Sequence, residues 1–344
     1  MGTQPVLITF DQALERAEER RPKHVLLGNG FSRACRNDIF AYEALFDRAD
    51  FTNKPLAQQA FHALNTTDFE KVMNALRAAA LLIPIYAPDN PALAAALAHE
   101  ADGLREVLAT AIAQGHPERP SDISNAQYAS SRRFLNHFKH IYSLNYDLLL
   151  YWSIMQTEVG QALTAGDDGF RTPDDGETDY VTWDVEKTDQ QDVFYLHGAL
   201  HLFDAGSELK KFTWINTGIR LIEQVRDALA ANMFPLIVAE GSSNEKMSRI
   251  QHSNYLGRGY RSFAKITGSL YIYGFAMSQN DEHWLRLIEK NRPLRKLFVG
   301  VYGDPASQGN QALIARCMML GATRSPRTPL EVNFFDAATA HVWG

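Results

Sequence analysis

The chain has 344 residues, 45% hydrophobic and 22% charged, an ordinary balance for a soluble globular protein with length enough for a large core. A formal net charge of −6 gives it no global attraction to nucleic acid or to an anionic membrane surface. Its two cysteines, Cys35 and Cys317, exclude a disulfide framework and a four-cysteine zinc module, and they fit a reducing cytoplasm.

The first residues lack a basic start followed by an apolar core, so no signal peptide is expected. Val6 stands where N-myristoylation needs Ser or Thr. No run approaches the roughly 18 uninterrupted apolar residues of a membrane span. The expectation is a cytoplasmic protein with no membrane contact.

In chain order, a helix capped by Asp11 is predicted over residues 9–21. "HVLLGNG" then reads as a buried strand running into a glycine turn, and "FSRACRNDIFAYEALFDRA" as a helix start and a second helix. Apolar residues recurring at three and four predict helices over 56–113, broken at Pro84, Pro88 and Pro91. With the residues to 125 they form a helical insertion or lid. A second strand falls near 139–144, followed by a polar turn and a helix. Residues 166–192, acidic and rich in turn formers, read as a surface loop or small hairpin. "VFYLHGALHLF" is a third strand ending in His-Gly, residues 217–233 a helix, and "FPLIVAEGS" a fourth strand. "GSLYIYGF" and "KLFVGVYGD" give a fifth and a sixth strand, each followed by a helix, and "EVNFFDAATA" a last strand.

Strands alternating with helices predict an α/β fold: a Rossmann-like, mostly parallel sheet with helices on both faces, plus the helical insertion. Ligands of such sheets bind beyond the carboxyl ends of the strands. Five polar turns are expected at that edge: Gly28-Asn29-Gly30-Phe31-Ser32, Ser143-Leu144-Asn145-Tyr146-Asp147, Leu196-His197-Gly198, Glu240-Gly241-Ser242-Ser243 and Gly274-Phe275-Ala276-Met277-Ser278. Gly28 and Gly30 admit two readings: a backbone that approaches a pyrophosphate, or a purely steric turn. Arg33 stands where the dinucleotide fingerprint has its third glycine, and no acidic ribose reader follows, so a hydride-carrying cofactor is disfavoured. The pair His197 and His201 has metal-ligand spacing but no evident third ligand, and no metal is expected. Trp152, Trp183, Trp214 and Trp284 read as packing residues.

Taken in order, Gly28-x-Gly30-x-Ser32, Asn145-x-Asp147, His197-Gly198 and Gly274-x-x-x-Ser278 resemble motifs of the sirtuin-like superfamily, where they surround NAD. The resemblance runs from about residue 24 to 303 and is nearest to a zinc-less prokaryotic branch with segments like "GNGFS" and "GFAMSQNDEHW". It implies a single sirtuin-like α/β domain over 1–344. Leu144-Asn145 stands where deacetylases carry Gln-Asn, Asn29 replaces their common Ala, and the zinc module is missing, so a zinc-dependent deacetylase is disfavoured. The resemblance implies instead an NAD+ glycohydrolase, giving nicotinamide and ADP-ribose, that serves as an antiphage effector. The alternative is a non-catalytic NAD or ADP-ribose-binding module, or an assembly subunit of a defence system. NAD is then substrate rather than carrier. A homo-oligomer and a defence-system partner protein are the assemblies to test, and no direct nucleic-acid binding is expected.

On this resemblance Asn145 hydrogen-bonds a ribose hydroxyl or the attacking water. Asp147 stabilises developing positive charge or caps the helix that follows. His197 acts as general base or is a core histidine. Gly28, Asn29, Gly30, Phe31 and Ser32 line the nucleotide, Ser32 donating to a phosphate or capping a helix. Gly241, Ser242, Ser243 and Asn244 face the adenosine ribose or form an ordinary loop. Gly274, Ser278 and Asp281 contact the nucleotide or make a capping turn. Asp68-Phe69-Glu70 matches a recurring sirtuin-like segment to which no role is assigned.

Overall fold

A computed structural model describes residues 5–17, 19–173, 180–206, 208–213, 220–239 and 243–344. The described strands are β1 (Lys23–Leu27), β2 (His140–Ser143), β3 (Phe170–Arg171), β4 (Tyr180–Trp183), β5 (Val193–Tyr195), β6 (Leu202–Asp204), β7 (Leu209–Phe212), β8 (Gly268–Tyr273), β9 (Leu294–Val301) and β10 (Glu331–Asp336). Six of them form one sheet in the order β10-β9-β8-β1-β2-β5, with every pairing parallel. The protein is therefore α/β with a Rossmann-like parallel sheet. The strands read as apolar runs because both faces are covered: Val25, Leu26 and Leu27 of β1 and Leu270 and Tyr271 of β8 are fully buried.

The chain runs outward from β1 through β2 to β5, returns to β8 on the other side of β1, and runs outward again to β10. Right-handed crossovers place the connections of the two halves on opposite faces. The order reverses between β1 and β8, and the carboxyl edge at such a switch point is where sheets of this kind hold their ligands. The turns after β1 and β8 meet there.

The insertion comprises the helices Pro55–Ala63, Phe69–Tyr86 and Pro91–Gly115. Asp68 starts the second of these, its carboxylate accepting from the Glu70 and Lys71 amides at 3.0 and 3.3 Å. An aromatic cluster joins the block to the body, with the Phe61 and Phe69 rings 4.9 Å apart. The cap and this anchor set Glu70 in the first turn. The residues after β2 and β5 build a separate antiparallel sheet, β3-β4-β7-β6; β3 and β4 lie where the acidic loop or hairpin was expected, while the expected third strand ends at Tyr195 and its last residues begin β6.

Several sequence expectations are corrected. The first helix is Phe10–Arg16, and Thr9 rather than Asp11 caps it, in a reciprocal box with Gln12. The segment after the first turn folds as three short helices, Gly30–Cys35, Asn37–Phe40 and Tyr42–Arg48. Pro84 does not break its helix; it lies in the last turn, two residues before the end at Tyr86. The segment 234–239 is not a strand of the parallel sheet. It touches the strand ends through one antiparallel bridge, Ile237 to Gly198. Its apolar residues Ile237, Val238 and Ala239 are buried as irregular chain, so an apolar run gave a false strand signal. Four of the five expected turns therefore follow strands that pair in parallel. No described helix is long and apolar enough to cross a membrane.

Candidate functional site

The glycines of the first turn answer first to packing. A Cβ on Gly30 would lie 2.4 Å from the Gly274 Cα, and one on Gly28 would lie 2.6 Å from the Gly274 carbonyl oxygen. Gly274 itself has φ +68, a left-handed conformation that favours glycine. The two turns thus touch backbone to backbone. The Gly28 amide donates to the Tyr273 carbonyl, Gly30 to Gly274 and Phe31 to Gly28, each at 2.9 Å. Three amides that a phosphate would need are already engaged. The Asn29 side chain donates to the Phe40 carbonyl at 3.0 Å. Phe31 is buried against Trp343, whose indole N–H donates to the Phe31 carbonyl at 2.9 Å. This turn closes the switch point by steric fit.

Behind it lies a small buried network. The Asn145 side chain donates to the Ser32 hydroxyl at 2.9 Å, and that hydroxyl donates to one oxygen of Asp147. The other Asp147 oxygen accepts from the Leu149 amide at 2.9 Å, at the start of the helix Leu149–Met155. Ser32 is fully buried, Asp147 5% exposed and Asn145 8% exposed. Ser32 therefore neither caps a helix nor faces open space; it links β1 to the turn after β2. Burial pushes the Asp147 carboxyl above its ordinary range, although the Ser32 and Leu149 hydrogen bonds pull it back.

A charged network flanks this one. Lys246, in the helix Ser243–His252, is completely buried. Its Nζ donates to Glu70 Oε2 at 2.9 Å and to Asp281 Oδ1 at 3.0 Å. Burial works against a charge on Lys246, but the Glu70 and Asp281 carboxylates outweigh it and hold its pKa above the ordinary value. Burial likewise opposes ionisation of Asp281, yet Lys246 and then His197 hold it below the carboxylate range. Glu70 goes the other way: burial pushes it up to about 6, against the pull of Lys246. The Tyr146 hydroxyl meets both Glu70 Oε1 and the Val238 carbonyl at 3.2 Å. At Asp281 the second oxygen accepts from the Ser278 hydroxyl at 2.9 Å. Although Asp281 is the N-cap residue of the helix Glu282–Lys290, its side chain makes no capping bond. It turns inward to the lysine. Met277, in the same turn, has φ +55, a strained conformation for a non-glycine residue.

His197 adjoins this network. Its Nε2 lies 3.8 Å from Asp281 Oδ1 and accepts from the Trp284 indole N–H at 3.0 Å, which puts the ring proton of the neutral form on Nδ1. Burial, then Lys246, hold His197 well below the ordinary histidine value. It is neutral at physiological pH with its Nε2 lone pair engaged. The general-base role expected from the sequence requires the Trp284 bond to open. Gly198 is fixed by packing, since a Cβ there would meet the Leu236 carbonyl oxygen at 1.8 Å.

His197, Asp281 and His283 offer ligand-type atoms within 4.8 Å of one another. Two of the three are already committed, His197 to Trp284 and Asp281 to Lys246. The lysine ammonium stands beside the carboxylate where a metal would compete with it.

The structure gathers Asn145, Asp147 and Ser32 in one network, and His197, Asp281 and Ser278 in the other. Gly28, Gly30 and Gly274 make the backbone contact between the turn after β1 and the turn after β8. Ser243 lies at a helix start, its hydroxyl accepting from the His283 amide at 2.8 Å, and Asn244 follows it in that helix. Gly241, Ser242 and Trp214 lie outside the described residues. His201 packs on Tyr151 and Tyr195, ring centroids 4.9 and 5.2 Å away, apart from both networks. Trp284, read as packing, also supplies a hydrogen bond. Lys246 and Tyr146 received no role from the sequence, and Glu70 was marked only by its resemblance.

No curated protein matches the chain. The chain belongs to the family described as Domain of unknown function (DUF4917), which matches residues 25–343.

Proposed function

We propose that the chain binds NAD+ at the carboxyl edge of the parallel sheet and hydrolyses its bond between nicotinamide and ribose. The observation that carries this reading is the convergence of Asn145, Asp147, His197 and Asp281 beside the β1–β8 switch point. Cleavage of an N-glycosyl bond to nicotinamide needs little acid assistance, because the pyridinium nitrogen takes the bonding electrons and leaves neutral. The protein has to hold the ribose, stabilise an oxocarbenium-like transition state and deliver water. Asn145 presents an amide to a ribose hydroxyl or to the water, and the carboxylates of Asp281 and Glu70 supply negative potential. The extension to an antiphage effector rests on the motif resemblance alone.

A second reading, NAD+ or ADP-ribose held without cleavage, is favoured by one observation: the Trp284 bond that engages His197. Incubating purified protein with NAD+ and separating the products by chromatography tests both. Release of nicotinamide and ADP-ribose, lost in Asn145→Ala, is the expected result. Calorimetric binding without decay selects the second reading, and neither binding nor turnover overturns both.

A further inference from the structure

We propose that Glu70, brought to the sheet edge by the helical insertion, is the proton acceptor of this site. It takes a proton from the water that attacks ribose C1′. The inference rests on the NAD+ reading above and names the residue that completes it.

Among the other bases near the strand ends, burial lowers His283 to about 4 and leaves its Nε2 without a partner among the described residues, and the rest are more fully engaged. His197 Nε2 holds the Trp284 N–H. The Asp147 oxygens hold Ser32 and Leu149, and those of Asp281 hold Lys246 and Ser278. Glu70 has Lys246 on one oxygen. Among the described residues its other oxygen is met only by the Tyr146 hydroxyl, which is divided at 3.2 Å between Glu70 and a carbonyl and leaves a lone pair for a donor from water. Glu70 also has access: 25% of its side chain is exposed, against 9% for Asp281 and none for Lys246. The rim is open here, with Tyr42 beside Glu70 41% exposed and Ser278 exposed.

The surroundings suit the task. Lys246 faces Glu70 from the helix Ser243–His252, Asp281 from the turn after β8, Tyr146 from the turn after β2, Tyr42 from the helix Tyr42–Arg48, and Asp68 from the cap of its own helix. Burial among these groups puts its pKa at about 6, near the pH at which a general base works best. In the step itself the C1′–N bond breaks and its electron pair leaves with nicotinamide. The water oxygen bonds to C1′, and the water proton passes to the Glu70 carboxylate and then to solvent. The insertion therefore supplies a catalytic residue as well as cover for the sheet edge.

The test is nicotinamide release by the full chain as a function of pH, for wild type, Glu70→Gln and Glu70→Asp, with NAD+ affinity by calorimetry and melting for each. The wild-type kcat should fall on the acid side near pH 6. Glu70→Gln should lose about 100-fold or more in kcat, keep its affinity for NAD+, and lose the acid limb. Glu70→Asp, which retains a carboxylate, should recover part of the rate. A folded Glu70→Gln with wild-type rate and acid limb overturns the assignment while leaving the NAD+ reading intact. A wild type without an acid limb near pH 6 overturns it even if the variants do not fold. A wild type that cleaves no NAD+ overturns the reading itself, and the role of Glu70 with it.

Discussion

Two polar networks lie side by side at the edge of the sheet and differ in kind. Ser32, Asn145 and Asp147 form a closed chain of donors and acceptors, deeply buried and drawn from two turns that follow adjacent strands. Glu70, Lys246, Asp281 and His197 form a charged network that opens to solvent at Glu70 and draws on four separate segments. The first holds the strand ends together. The second holds Glu70 at about 6, because burial outweighs the pull of Lys246, whose ammonium Glu70 shares with Asp281. Residues that match a motif can thus tie strand ends together, while a titratable carboxylate stands beside them.

The largest expected effect is on the charged side. Lys246→Met leaves two carboxylates facing each other without their cation, and unfolding in urea should show a loss of about 3–5 kcal/mol. Adding Glu70→Gln should recover part of that loss, since one buried acid is removed. If Lys246→Met is as stable as wild type, the two networks do not differ in the way described.

A smaller loss is expected on the closed side. Ser32→Ala leaves the Asn145 amide and the Asp147 carboxylate without their bridge, at a cost of about 1–3 kcal/mol. The loss should be nearly independent of ionic strength, whereas salt should alter the charged network more. Equal salt responses would erase the distinction.

The pH dependence of stability sharpens the comparison without a mutation, because it sums over several buried groups. Burial lowers His24 to about 3 and His116, His140 and His283 to about 4. Their unfolded forms bind protons from about pH 6.5 downward, so their contribution is present above that pH and is lost as the pH falls toward 4. Glu70 and Asp192, raised by burial to about 6, act in the opposite sense between 6 and their unfolded values. The histidines are more numerous, so the melting temperature should decline from pH 6.5 to 4. Glu70→Gln should deepen that decline by removing one of the opposing groups.

The strands that pair in parallel were legible because each is a short apolar run bounded by turn residues, and a strand covered on both faces has no polar side to hide. The same signal misled at 234–239, where the apolar residues are buried against the turn after β5 without a partner strand. The cap of the first helix was missed because Thr9 and Asp11 are both capping residue types, and only the Gln12 side chain folding back on Thr9 separates them.

Local spacing by itself determined the alternation of strands and helices, hence the sheet and the edge on which its turns collect. It also determined that Asn145, His197 and Asp281 would stand at that edge. Only the tertiary structure decided that the first glycines serve contact with Gly274, and that His197 is engaged by Trp284. It alone brought Lys246 to Glu70, 176 residues away, and to Asp281, 35 away. Nothing near "NEKMSRI" marks its lysine as buried, because a buried charge is stabilised by partners that reach it through space.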